Sequence, residues 1–172
     1  MPGADPSRYL EWLRAETAPA DGETGAIDGL EESLVHPRLL LLEEAAGWKS
    51  AFLRELAYLW CRGVEDARTY TLLFPIFVPM PDLRPEAGNG WLLDYLAVRS
   101  RELQWGLDGE FFRRKLAAAL VMIERLDAAP WAAGAIERMA GANPRSRFVV
   151  TARPMAMELA GFHTVRAGRR ST

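Results

Sequence analysis

Cysteine is nearly absent from this sequence, which contains Cys61 and no other thiol. One thiol forms no disulfide within the chain and does not make a cysteine-based metal site. We expect Cys61 to lie on a helix as a small core residue, because neither His36 nor His163 shows a visible pairing with it as a catalytic base. The cysteine content is compatible with a reducing compartment, and we predict a cytoplasmic protein.

An excess of one charge sign is also lacking. The 172 residues include 21 basic and 23 acidic side chains, for a formal net charge of −2. No global basic field therefore points to nucleic acid as a partner. Lysine is rare, since Lys49 and Lys115 are the only two lysines and the other basic residues are arginines. This rarity makes the position of Lys49 conspicuous.

Long apolar runs and targeting segments are missing as well. The first residues, MPGADPSRYLEWLRAE, carry acids and prolines early and contain no apolar core, so we do not expect a secretory signal. No run approaches roughly 18 apolar residues, and we therefore expect no membrane span. The hydrophobic fraction of 49% nevertheless suits one domain with a real core.

The sequence does contain strand patterns that alternate with helix patterns. Short apolar runs predict five strands, at Arg38–Leu42, Tyr70–Val78, Ala119–Ile123, Arg147–Thr151 and His163–Val165. Helical spacing predicts helices at Ser7–Thr17, Lys49–Arg62, Trp91–Leu103, Gly109–Ala118, Pro130–Ala140 and Pro154–Leu159. We expect Gly63 to end the second helix and Pro75 to mark an edge strand or a local bend. The alternation predicts an α/β fold with three layers, a mostly parallel sheet of about five strands with helices on both faces.

The helical spacing also predicts which side chains face inward. The expected inward residues are Tyr9, Leu10 and Leu13 in the first helix, and Trp131, Ile136 and Met139 in the helix that starts at Pro130. We divide the chain into an N-terminal helix and linker over residues 1–35, a core over 36–165, and a basic tail over 166–172. No internal repeat interrupts this plan.

One segment combines a strand, a loop and a helix in the order of a phosphate-binding loop. The apolar run Leu39–Leu42 is followed by EEAAGWKS and then by the helical segment AFLRELAYLW. This is the context that gives the pattern G-x-x-x-x-G-K-[ST] its meaning. Lys49 and Ser50 occupy the last two positions of the pattern, whereas Glu43 and Trp48 stand where it has glycine.

The two replaced glycines have physical consequences for such a loop. Glycine allows the positive-φ turn that lets backbone N–H groups surround a phosphate. Trp48 at a glycine position adds a bulky side chain and a φ penalty of about 1 kcal/mol. Glu43 adds negative charge near a polyphosphate, while Gly47 partly restores the turn one residue early. The pattern thus predicts a phosphate loop with altered chemistry.

Four sequence landmarks follow one another across residues 36–165. The first is the altered loop with its helix, and the second is FPIFVPMPDLR at residues 74–84. The third is LVMIERLDAAP at residues 120–130, and the fourth is PRSRFVVTARP at residues 144–154. Together these landmarks resemble the NACHT family of signal-transduction P-loop NTPases in its bacterial form, including its "P-I-F-V-P-L-R-D-L" and "S-R-F-I-V-T-S-R-P" motifs.

The resemblance implies a nucleotide-controlled signalling switch. Members of the family bind ATP or GTP with magnesium, change their domain arrangement and often form oligomers. The expected cofactor is therefore ATP or GTP with Mg²⁺, and the expected partner is another protein or a second copy of the chain. Nucleic acid and membrane are not expected as partners.

The resemblance also implies roles for individual residues. The implied nucleotide-binding residues are Gly47, Trp48, Lys49, Ser50, Ala51 and Arg153. Lys49 would contact the β- and γ-phosphates, Ser50 would ligate magnesium, and Arg153 would sense the γ-phosphate. Glu124 stands where the family has its magnesium-linked aspartate, and Asp127 matches a family acid, so these two are the implied catalytic residues.

Other positions depart from the family pattern. Arg125 replaces a glycine, and Ala128 stands where a second acid would polarise the attacking water. Because that carboxylate is absent, we expect hydrolysis to be slow or absent. The extra methylene of Glu124, compared with aspartate, moves the carboxylate by about 1.5 Å, a meaningful displacement in a rigid site.

Plainer interpretations stay open for each of these residues. Lys49 and Ser50 are also compatible with the start of a solvated helix, Glu124 and Arg125 with a charged turn after a strand, and Arg153 with a surface arginine. We therefore keep three hypotheses. The chain is a weak nucleotide-binding switch, a pseudo-NTPase that serves as a scaffold or interaction domain, or a remnant of a longer gene that folds poorly alone.

Overall fold

Five short apolar segments form one parallel sheet in this computed structural model. The structure describes residues 5–18, 35–42, 48–66, 73–80, 90–153 and 158–166, with only the backbone at 48–52, 63–66 and 166. The strands are β1 (Arg38–Leu42), β2 (Phe74–Pro79), β3 (Ala119–Glu124), β4 (Arg147–Ala152) and β5 (His163–Arg166). Their order across the sheet is β2-β3-β4-β1-β5, and every neighbouring pair is parallel. The predicted α/β class with a parallel sheet of five strands is confirmed.

The strands are apolar because helices cover the sheet. All residues of β3 are buried, and so are four of the five residues of β1. The helices are α1 (Ser7–Thr17), α2 (Trp48–Asp66), α3 (Trp91–Leu103), α4 (Gly109–Leu116) and α5 (Ala133–Ala142). From β1 the chain crosses the sheet to β2 at one edge, and from β2 it moves back across the sheet through β3 to β4. Because both connections are right-handed, α2 lies on one face of the sheet and α3, α4 and α5 lie on the other. No helix of the described ranges is long and apolar enough to cross a membrane.

The edge position of β2 explains its proline. β2 pairs with β3 on one side only, so the missing N–H of Pro75 removes no necessary ladder bond. The carbonyl oxygen of Pro75 accepts a hydrogen bond from the buried hydroxyl of Tyr9 at 2.8 Å. Of the two alternatives that Pro75 suggested, an edge strand or a local bend, the structure shows the edge strand, and α1 contributes a side chain to this edge.

Several predicted boundaries agree with the structure and others do not. The bounds of α1, α3 and β1 agree with those predicted. The prediction that Gly63 ends the second helix is wrong, since α2 continues to Asp66. A glycine inside a helix costs only about 1 kcal/mol relative to alanine, which is too little to end a helix that packs on the sheet. Residues 154–157 of the predicted helix Pro154–Leu159 lie outside the described residues, and Glu158 and Leu159 are not helical.

The segment after β3 begins differently from the prediction. Two 3-10 turns, Leu126–Ala128 and Pro130–Ala132, precede α5, so Trp131 does not belong to the α-helix. Ile136 is buried as predicted, and Met139 packs partly against the core. The prediction for Trp131 is wrong, because its side chain is 37% exposed and contacts Trp91 edge-on at 6.1 Å between ring centroids.

Cys61 and the two histidines have structural surroundings. Cys61 is buried on α2, and its thiol donates a hydrogen bond to the carbonyl oxygen of Leu10 at 3.2 Å. His163 opens β5 and stacks on His36, with ring centroids 3.7 Å apart and an angle of 8° between the planes. The core role predicted for Cys61 is confirmed, and the histidine pair lies at the amino ends of β1 and β5.

Candidate functional site

The strand order creates a topological switch point at the carboxyl ends of β1 and β4. These two strands are neighbours, but the chain leaves β1 toward β2 and leaves β4 toward β5. Right-handed crossovers carry the two connections to opposite faces of the sheet. In open α/β sheets, ligands bind in the crevice outside the carboxyl ends of strands at such a switch point. This edge of the sheet is therefore the candidate site.

The first turn of α2 lies at this edge. Arg54, in the second turn of α2, contacts Glu124 at the carboxyl end of β3, so the turn before it stands above the same edge. That turn contains the predicted residues Trp48, Lys49, Ser50 and Ala51, whose side chains lie outside the described atoms, as does all of Gly47. The backbone N–H groups of a helix N-terminus favour phosphate and other anions.

Arg54 and Glu124 form a bidentate ion pair. Nε of Arg54 donates to Oε2 of Glu124 at 3.0 Å, and Nη2 donates to Oε1 at 3.2 Å. The Glu124 side chain is 6% exposed and that of Arg54 is 33% exposed. Burial alone would lower the pKa of Arg54, but hydrogen bonding and charge attraction from Glu124, and then from Glu16, outweigh it and raise that pKa. Both carboxylate oxygens of Glu124 thus have an internal cationic partner.

Arg54 also connects this pair to α1 and β2. Its Nη1 donates to the carbonyl oxygen of Glu16 at 3.2 Å and lies 3.6 Å from the Glu16 carboxylate. The guanidinium carbon stands 5.3 Å from the centroid of the Phe77 ring. One side chain of α2 therefore contacts the end of α1, the interior of β2 and the end of β3.

The residue after β3 adopts a conformation that favours glycine. Arg125 has φ 63° and ψ 60°, in the left-handed region, where a residue with a Cβ is strained. Its backbone N–H donates to the buried Oγ1 of Thr151 on β4 at 3.1 Å. Its Nε is buried and has no hydrogen-bond partner among the described residues. Arg125 thus has the backbone conformation that glycine favours, at a position where the resemblance implies a glycine.

Asp127 fastens the turn after β3 to the end of β4. Its Oδ1 accepts a hydrogen bond from the backbone N–H of Arg153 at 3.0 Å, and its Oδ2 accepts one from Nη2 of Arg125 at 3.4 Å. The side chain of Asp127 is largely buried, whereas Arg153 is exposed. Asp127 therefore fixes the backbone from which the Arg153 side chain extends.

The described residues do not fit the magnesium ion that the resemblance implies. Mg²⁺ in proteins is held by one or two carboxylates together with water and phosphate oxygens. Glu124 is engaged by Arg54, and Asp127 by two N–H donors. Within the described ranges, no group of three or more histidine, cysteine, aspartate or glutamate side chains is placed to hold a metal. The metal role of Ser50 and Glu124 stays a prediction.

The structure brings several predicted site residues to one edge. Glu124, Asp127, Arg153 and the backbone of the first turn of α2 all lie at the carboxyl ends of neighbouring strands. Sequence reasoning missed Arg54, although a signal existed. Arg54 precedes the buried residues Ala57 and Cys61 at spacings of three and seven, so it lies on the apolar stripe of α2. An arginine at such a position is seldom buried without a partner.

A cavity of about 710 Å³ lies elsewhere. It is found between the start of α1 and the turn that joins α3 to α4, and α4 leads into the amino end of β3. Charged side chains of both signs line it, namely Asp5, Arg8, Arg101, Asp108, Glu110 and Arg114. We assign no role to this cavity, because its mixed charges favour no single class of ligand.

No protein-family model matches the chain, and no curated protein matches it in sequence.

Proposed function

We propose that the chain is a nucleotide-binding module of the P-loop type, a switch that hydrolyses ATP or GTP slowly or not at all. The observation that carries the proposal is the switch point at the carboxyl ends of β1 and β4, the place where open α/β sheets bind ligands and where the first turn of α2 begins. Lys49 and Ser50 lie in that turn, at the positions of the phosphate-loop pattern. The resemblance of the four landmarks to NACHT NTPases favours a switch over a metabolic enzyme.

Slow hydrolysis follows from the state of the carboxylates at this edge. A water molecule that attacks a phosphate is oriented by a free carboxylate or an equivalent base. Ala128 occupies the position where the resemblance implies that acid, and Glu124 is held by Arg54. Asp127 is held by two N–H donors. None of the described residues of the crevice supplies a free carboxylate for this step.

Arg153 suits the reporting of phosphate occupancy. Its backbone is fixed by the hydrogen bond to Asp127, while its side chain is exposed at the end of β4. A guanidinium binds two phosphate oxygens at once through parallel N–H donors. In this proposal, Arg153 contacts the terminal phosphate and conveys its presence to the turn between β3 and α5.

The test is a calorimetric titration with ATP, ADP and GTP. We expect saturable binding to the wild-type protein and loss of binding in Lys49→Ala, because the ammonium group neutralises phosphate charge. Lys115→Ala is the matched control, since it removes the other lysine, on α4, and should bind as the wild type does. Binding that survives in Lys49→Ala, or its absence from a well-folded sample, would contradict the proposal.

A second candidate is a pseudo-NTPase scaffold. The observation that favours it is the internal satisfaction of both carboxylates at the crevice, Glu124 by Arg54 and Asp127 by its two donors. A scaffold predicts no thermal shift with any nucleotide, and a saturable shift would exclude it. Reverting Glu43 and Trp48 to glycine should then create binding, because the loop would regain its freedom for positive φ.

A further inference from the structure

We propose that this site takes its nucleotide without a divalent cation, because arginine side chains supply the positive charge that Mg²⁺ supplies in other P-loop sites. The inference rests on the proposed function and concerns the chemistry of the same crevice. Its basis is that the described residues do not fit the magnesium ion that the resemblance implies. The ligand is the free nucleotide, with its phosphates bound directly by protein N–H donors.

The first step of the argument concerns Glu124. Its two oxygens accept hydrogen bonds from Arg54 at 3.0 and 3.2 Å, and its side chain is 6% exposed. A magnesium ion bound to the oxygens that Arg54 engages would displace the guanidinium from Glu124 and leave it only its longer contact with the Glu16 carboxylate, at 3.6 Å. Breaking a pair of this kind weakens metal binding on the order of a hundredfold or more. Glu124 is therefore a poor magnesium ligand in this protein.

The second step concerns what Arg54 does for the phosphates. A buried carboxylate without a partner would repel a polyphosphate, and a bound metal ion ordinarily offsets that repulsion. Here the guanidinium of Arg54 neutralises Glu124 permanently. A metal ion in such a site has two tasks, which are to neutralise the carboxylate and to bind the phosphate oxygens. Arg54 performs the first task, although it is not itself placed as a phosphate ligand.

The third step concerns the donors that remain. The described charged groups here are three arginines, Arg54, Arg125 and Arg153, and three carboxylates, Glu124, Asp127 and the Glu16 carboxylate beside Arg54. Their charges sum to zero, so Lys49 makes the set positive. The side chain of Arg153 is exposed, and Nε of Arg125 has no hydrogen-bond partner among the described residues. A guanidinium matches the geometry of phosphate oxygens, so the exposed Arg153 performs the other task of the metal, which is to bind the phosphate oxygens.

The experiment measures ATP binding by calorimetry in excess MgCl₂ and in EDTA. We expect the wild-type Kd to differ by less than about threefold between the two buffers. In Arg54→Met, the carboxylate of Glu124 is released, so ATP should bind about tenfold or more weakly in EDTA and recover when Mg²⁺ is added. Glu124→Gln removes the carboxylate and should bind ATP equally well in both buffers.

The double variant Arg54→Met/Glu124→Gln covers the case in which Arg54→Met does not fold. It leaves no charge at the position of the Arg54–Glu124 pair, and it should bind ATP independently of magnesium, as Glu124→Gln does. Wild-type binding that is tenfold or more tighter with Mg²⁺ than in EDTA would overturn the inference and leave the proposed function intact. No binding by a folded wild-type protein in either buffer would overturn both.

Discussion

Replacing Arg54 by methionine tests the most consequential contact of the crevice. The substitution removes the guanidinium and keeps an unbranched side chain of similar length. Glu124 then retains a charged carboxylate in a place where its side chain is 6% exposed. Removing one partner of a buried ion pair costs about 3–5 kcal/mol of unfolding free energy. Because Arg54 is 33% exposed, water reaches the pair, and we expect the lower end of that range, about 3 kcal/mol.

Urea unfolding followed by circular dichroism measures this loss. With a urea dependence of about 1–3 kcal/mol per molar, the midpoint should fall by about 1 M or more. Arg113→Met is the matched control, because Arg113 is exposed and lies 3.8 Å from Glu110 on the surface of α4. Exposed pairs of that kind contribute at most about 1 kcal/mol, so the control should unfold close to the wild type.

A double-mutant cycle isolates the pair itself. Arg54→Met, Glu124→Met and the double variant are compared with the wild type. The double variant buries no unpaired charge and should be more stable than either single variant. The coupling energy should reach about 2 kcal/mol. If the two single losses add to within about 0.5 kcal/mol, the residues do not interact in the folded protein, and the reasoning on the crevice fails.

Three further predictions concern the turn after β3 and the edge of the sheet. Arg125→Gly should be more stable than Arg125→Ala by about 1 kcal/mol in urea unfolding, because only glycine relieves the left-handed backbone; equal midpoints would deny that conformation. Thr151→Val should cost about 1–3 kcal/mol, since it leaves the Arg125 N–H without its acceptor, whereas Thr151→Ser should retain most of the stability; a thermal melt in which the two variants coincide would refute this hydrogen bond. Burial raises the pKa of Tyr9 above its ordinary value of 10.0, so the folded state holds a proton that the unfolded chain loses, and the unfolding free energy should fall as the pH rises above about 10. Tyr9→Phe should lower the unfolding free energy by about 1 kcal/mol at neutral pH, because the hydrogen bond to Pro75 is lost. The same variant should lose less stability than the wild type as the pH rises above about 10; an equal loss in both proteins would mean that other groups cause the pH dependence.

Much of the fold followed from local patterns. The apolar run Arg38–Leu42 was identifiable as a strand, and the spacing of buried residues in Ser7–Thr17 as a helix, because period and burial are linked within one element. The prediction that the helix ends at Gly63 was wrong, because the packing of the whole of α2 outweighs the effect of a single helix-weakening residue. The prediction that Trp131 faces inward was also wrong. It assumed α-helical spacing from Pro130 onward, but Trp131 lies in a 3-10 turn, which points its side chain in a different direction.

The candidate site was only partly predictable from its sequence motifs. The roles proposed for Glu124, Asp127 and Arg153 came from the resemblance of the motifs, and their shared edge follows from the strands, because parallel strands present their carboxyl ends at one edge of a sheet. The partner of Glu124 was not predictable in this way. Arg54 is 70 residues away along the chain and belongs to no motif, although its place on the apolar stripe of α2 was a signal.

The sequence by itself determined the α/β class and most of the strands and helices, since each depends on the chemistry of neighbouring residues. Only the tertiary structure decided the strand order β2-β3-β4-β1-β5 and, with it, the switch point between β1 and β4. It also decided that the carboxylate of Glu124 faces Arg54 at 3.0 and 3.2 Å. The physical reason is that two charged groups interact according to their separation in space and not along the chain, and the packing of α2 against the sheet sets the separation of Arg54 and Glu124.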